Sequence, residues 1–111
     1  MIPTWAFIYV APDTDPAADR VVIDRGGIQN VLVPVPEPSL SAEVAVQLVD
    51  EGARLIELCG GHGLVWAATV IEAVGDRAPV GAVTFGPEAA GGLTAFRTLF
   101  EDSQAAANAA S

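Results

Sequence analysis

Between Ser39 and Phe85 two segments of helical periodicity alternate with two short apolar runs, and each connection is only a few residues long. That order leaves little choice, because strands joined through a helix run parallel and their crossovers are right-handed. Residues 36–39 (PEPS) lead into the first helix, for which Ser39 or Ser41 is the expected N-cap. Val44, Ala45, Leu48 and Val49 recur at helical spacing, and Gly52 is placed to end the helix in the left-handed conformation. Residues 54–60 (RLIELCG) read as a buried strand. Residues 63–74 form a second helix with a predicted buried stripe of Ala67, Val70, Ile71 and Val74, closed by Gly75 and Asp76, and residues 79–85 (PVGAVTF) form the next strand.

Upstream, residues 5–10 (WAFIYV) are aromatic and β-branched and nearly apolar on both faces, which suits the middle of a sheet. Residues 31–35 (VLVPV) read as another strand, with Pro34 arguing for an edge because it donates no ladder hydrogen bond. The intervening stretch 11–29 opens on a Pro and Asp turn, and its residues 21–23 (VVI) are compatible with either helix or strand. Downstream, Leu93, Phe96, Leu99 and Phe100 define one side of a last helix over 93–102, and the alanine-rich tail 103–111 has nothing to bury and is expected to be disordered or frayed. The expected fold is a single α/β domain over 1–102. It is a small, open, mostly parallel sheet of about four strands with helices packed on it, in a flavodoxin-like or half-barrel-like βαβαβ order.

Composition narrows the chemistry. The 111 residues include no lysine, one cysteine and one histidine, and the formal net charge is −9. Absence of lysine removes Schiff-base and phosphate-loop chemistry, and a lone cysteine removes intrachain disulfides, Cys-x-x-Cys redox pairs and thiolate-rich zinc sites. Five arginines on so acidic a chain would repel a phosphate backbone, so nucleic acid is excluded as a partner. No apolar run approaches a membrane span, and residues 1–5 lack the basic start of a signal peptide, so the expected location is cytoplasmic without membrane association. Only 17% of residues are charged, below the roughly 25% of typical soluble domains, so an interface between identical subunits is expected. Trp66, off the buried stripe of the second helix, is the leading interface residue. No metal or cofactor is called for.

In parallel α/β sheets, ligands bind beyond the carboxyl ends of the strands. Here the segment 57–63 (ELCGGHG) joins such a strand end to a helix. Gly60, Gly61 and Gly63 allow close approach to the backbone, and the amides opening the helix favour an anion. The same environment would lower the pKa of Cys59, provided the sulfur is not enclosed in apolar surroundings. Strand alternation turns Glu57 and Cys59 the same way, so Glu57, Cys59 and His62 form a candidate acid, base and nucleophile set. Tyr9, Asp13 and Glu88 stand at neighbouring strand ends as candidate ligand contacts. Each feature also has a plainer reading: a tight turn for the glycines, inert packing for Cys59, an ion pair for Glu57 and a capping role for His62.

Residues 5–12 (WAFIYVAP), 49–61 (VDEGARLIELCGG) and 79–86 (PVGAVTFG) together resemble a family of small bacterial proteins classified only as a domain of unknown function. The resemblance implies an α/β domain of this length and supplies no catalytic residues. Residues 47–57 (QLVDEGARLIE) are also similar to one βα unit of keto-deoxy-phosphogluconate-type barrel aldolases, with Glu57 at the position of a strand glutamate. A barrel needs roughly twice this length, and the Schiff-base lysine of those enzymes has no counterpart here. Three readings follow: a homo-oligomeric module binding a small anionic metabolite at the 59–63 loop, an enzyme acting on a carbonyl compound through Glu57, Cys59 and His62, or a purely structural assembly module.

Overall fold

The computed structural model describes residues 2–110; Met1 and Ser111, the ends of the expected N-terminal segment and tail, lie outside the described residues. Five strands, β1 (Thr4–Val10), β2 (Val21–Arg25), β3 (Ile28–Val35), β4 (Leu55–Leu58) and β5 (Val80–Ala82), form one sheet in the order β2-β3-β1-β4-β5. β1 pairs in parallel with both β3 and β4, and β4 with β5, whereas β2 is antiparallel to β3. The fold is thus α/β with a mostly parallel open sheet, and β1 is its central strand as its two-faced apolarity requires. The fifth strand is β2, which resolves residues 21–23 as strand. It turns into β3 through Gly26-Gly27, both at positive φ (66° and 82°), the backbone that a two-residue hairpin matched to strand twist demands.

Pro34 does not make β3 an edge strand: β3 lies between β2 and β1. The Val35 carbonyl faces β1, where it accepts from the Ala11 amide at 2.9 Å. Pro34 therefore faces the β2 side, where pairing has already stopped at Val21 opposite Leu32. The edge is local to one residue, and the missing N–H costs no ladder bond.

Helix α1 (Ser41–Asp50) carries the chain from β3 across β1 to β4, and α2 (Gly63–Val74) carries it from β4 to β5. Crossovers of one hand stepping in one direction fall on one face of the sheet. Val44, Ala45 and Leu48 of α1 and Ala67, Val70 and Val74 of α2 accordingly share one core with Ala6, Ile8, Val31, Val33, Ile56 and Leu58. Ile71, expected in the stripe of α2, is instead exposed, because the contact is centred on Val70 and Val74 and Ile71 is turned about 100° from Val70. The step from β1 to β3 runs the other way and would place a helix on the opposite face. It is made by strand β2, and among the described residues that face has no such crossover helix.

A short 3-10 turn (Pro38–Leu40) precedes α1, and neither Ser39 nor Ser41 caps it; the Ser39 hydroxyl lies against Glu37 and that of Ser41 serves the site described below. α1 ends in a Schellman pair, the Gly52 amide on the Val49 carbonyl and the Ala53 amide on the Leu48 carbonyl. The last strand is shorter than the expected 79–85. The last helix is longer: α3 spans Ala90–Ala110, since the alanines after Asp102 have the highest helix propensity.

Candidate functional site

Beyond the end of β4 the chain makes a 3-10 turn (Gly60–His62) and enters α2. Gly63, where the two join, has φ 66° and ψ 177°, a conformation essentially confined to glycine. This reversal lets His62 turn inward while α2 starts in a new direction. His62 is 2% exposed and Ser41, the first residue of α1, is fully buried. The Ser41 Oγ lies 2.7 Å from His62 Nε2.

On its other side the ring faces Cys59. His62 Nδ1 is 3.1 Å from the Cys59 carbonyl oxygen and 3.6 Å from its Sγ. A carbonyl only accepts, so Nδ1 carries a hydrogen; in the neutral ring Nε2 then accepts from the Ser41 hydroxyl. The sulfur also accepts from the Val10 amide at 3.3 Å, at the end of the central strand. Burial pushes the half-buried Cys59 thiol up, but hydrogen bonds from His62 and from the Val10 and Gly61 amides, with the charge of His62, outweigh it and hold the thiol below its ordinary range. The backbone packs closely here: a Cβ on Gly60 would lie 3.1 Å from the Phe85 ring, and one on Gly61 would lie 3.4 Å from the Cys59 sulfur.

Of the residues expected in the site, Cys59, His62 and the Gly60, Gly61 and Gly63 backbone are brought together. Glu57 stands on the opposite sheet face from the helices, paired in register with Phe7, beside a shallow groove of about 280 Å³ lined by Gly81, Ala82 and Val83. It makes no hydrogen bond or ion pair among the described residues. Tyr9 is on that same face, stacked on Phe7 with ring centroids 5.9 Å apart. Asp13 occupies an exposed turn at φ 60°, and the carboxylate of Glu88 folds over Gly86. None of the four hydrogen-bonds to the 59–63 loop among the described residues.

Ser41 is the site residue that sequence reasoning assigned otherwise. Its position at a helix start reads equally well as a cap, and its pairing with His62 depends on α1 lying against α2. Among the described residues no three His, Cys, Asp or Glu side chains converge as metal ligands, and no helix is long and apolar enough to cross a membrane.

No curated protein and no solved structure matches the chain. A family model does, over residues 3–98, a span that holds the sheet, both packed helices and the whole Ser41–His62–Cys59 arrangement: the chain belongs to DUF6506, a family of unknown function.

Proposed function

We propose that the protein performs nucleophilic thiol chemistry on a small carbonyl compound, with Cys59 as the reacting group, His62 as its proton partner and Ser41 as the positioning residue that holds the ring. The observation that carries this reading is the Ser41–His62–Cys59 chain, in which a buried imidazole is fixed from behind and directs an N–H at a partly exposed sulfur. A nucleophile, a base and an orienting group in sequence are the recurrent geometry of activated thiols. In the reacting thiolate–imidazolium form both ring nitrogens carry a hydrogen and Nε2 donates to the Ser41 oxygen. The thiolate adds to the carbonyl carbon, Nδ1–H protonates the leaving group, and water, giving a proton back to Nδ1, displaces the thiolate and releases the acyl group as a carboxylic acid. Glu57 has no part in this scheme.

A second reading, binding of a small anion without chemistry, draws support from the exposed start of α2, where Leu64 and Val65 leave the first turn open. Against it, the Val10 and Gly61 amides are already engaged by the sulfur.

The test is the pH dependence of Cys59 alkylation by iodoacetamide, read beside hydrolysis of a small panel of nitrophenyl esters and thioesters. The expected midpoint is below that of a free thiol, and His62→Gln moves it upward and abolishes ester turnover. Ser41→Ala lowers turnover while leaving the thiol alkylatable. Titration of Cys59 as a free thiol, or turnover indifferent to Cys59→Ser, would sink the proposal; stabilisation by phosphate or a carboxylate without turnover would favour the anion site.

A further inference from the structure

We propose that two copies of this chain form a reciprocal dimer in which α3 of each lies across the open sheet face of the other, with Arg97 meeting Glu57 at the centre of each contact. The inference is independent of the thiol chemistry. It starts from two apolar surfaces that the chain leaves unmatched. The first is the sheet face opposite α1 and α2, where Trp5, Phe7, Leu32 and Leu55 stand on neighbouring strands, flanked by Ile23 at one edge and Val83 at the other. Strand register puts the first four and Ile23 on the face away from the two helices, where Trp5, Phe7 and Leu32 are half-buried and Leu55 is exposed, and Val83, just past β5, lines the groove beside Glu57 there.

The second surface is α3. Leu93, Phe96, Leu99 and Phe100 form one stripe along it and are 41%, 66%, 66% and 43% exposed. The helix packs chiefly against the turn at its own start. The Cα radius of gyration is 15.3 Å and the longest dimension 46 Å, against a radius of about 13 Å for a compact chain of this length. An isolated amphipathic helix has little stability of its own and takes it from packing.

The surfaces agree in size and charge. Twenty-one residues make a helix of about 30 Å, and five strands at roughly 4.8 Å spacing make a sheet about 20 Å wide, so α3 crosses the whole face. With about 200 Å² for each large side chain, the stripe offers on the order of 400 Å². Counting the area it covers and the second, symmetric contact, the total is about 1,600 Å², the size of a standard stable interface. Arg97 flanks the stripe, within one helical turn of Leu93, and makes no ion pair or hydrogen bond among the described residues. Glu57 is the carboxylate set in the open face, likewise unpaired, beside the groove at Gly81–Val83. A contact in which each copy both gives a helix and receives one closes with two-fold symmetry.

Light scattering of the full chain at micromolar concentration, with circular dichroism to verify folding, tests this. The expected mass is twice 11.4 kDa. Phe96→Glu, at an exposed position that the monomer does not need, should weaken the dimer at least about tenfold in Kd, the scale of an interface anchor. Glu57→Arg and Arg97→Glu should each weaken it, and the double exchange should restore it. A monomer at this concentration overturns the proposal, including one in which hydrogen exchange shows α3 protected by packing on its own sheet. A dimer indifferent to Phe96→Glu, or a charge exchange without rescue, overturns it as well, by locating the interface elsewhere, for instance at Trp66.

Discussion

At the level of single residues, the protein places a fully buried hydroxyl where only a ring nitrogen can use it. Replacing Ser41 with alanine leaves His62 Nε2 buried without a partner, and the expected destabilisation is about 1–3 kcal/mol, measured by urea denaturation at neutral pH. Cys59 gives a prediction with a sign. Its pKa is lower folded than unfolded, so its contribution to stability is complete above the unfolded thiol pKa of about 8.5 and is lost as pH falls through the lower folded value. Denaturation of the wild type and Cys59→Ser should therefore diverge as pH rises through that window and run parallel below it. Asp15 behaves likewise in the acid range. Its Oδ1 accepts from the Ala17 and Ala18 amides at 2.8 and 2.9 Å, which lowers its pKa. The protection of those two amides, taken relative to their intrinsic exchange rate at each pH, should hold above the ordinary carboxylate pKa of about 3.9 and fall as pH drops through the lower folded value. Asp15→Ala should remove the dependence. Cys59 and His62 were legible from the sequence because scarcity and a shared loop single them out. Ser41 was not, because its role is created by two helices meeting and a local pattern carries no trace of that.

At the level of elements, legibility followed how locally each element is determined. Helix α2 has the expected bounds because its punctuation is written in the chain: Gly63 at its start and Gly75 at its end both take positive φ. Gly63→Ala forces a side chain into a glycine-only conformation and should cost about 1–3 kcal/mol. The loss is expected to appear together with a displaced His62, so the alkylation midpoint of Cys59 should rise in the same variant. Ile71 shows where periodicity falls short. An apolar residue at the edge of a helical stripe is inside or outside according to the crossing of its neighbours, which no single segment contains. Strand β2 is a similar case: all five of its side chains are exposed, so burial imposes no alternation on its sequence, and pairing with β3 alone makes it a strand.

For the molecule as a whole, the parallel sheet was readable from the order of segments, whereas the coverage of its faces was not. The decisive fact is that the only step against the direction of the others is made by a hairpin instead of a crossover helix. One face is closed by α1 and α2, and shortening Ile8 or Ile56 there to alanine should cost about 2–5 kcal/mol in chemical denaturation, as for other fully enclosed side chains. Trp5, Phe7 and Leu55 lie on the other face, and the proposed dimer predicts that truncating them costs much less in the Phe96→Glu background than in the unsubstituted chain. That contrast between faces is a property of topology and would be lost if a helix occupied the β1 to β3 connection.

The contact between Ser41 and His62 also ties the reactivity of one thiol to the docking of two helices. Whenever α2 lifts from α1, even briefly and without global unfolding, the imidazole loses its anchor and the sulfur reverts to an ordinary cysteine. Modification of Cys59 at neutral pH thus slows by the fraction of time spent open, so a decline of its rate in mild denaturant, ahead of the global transition, would report an excursion of the two-helix layer.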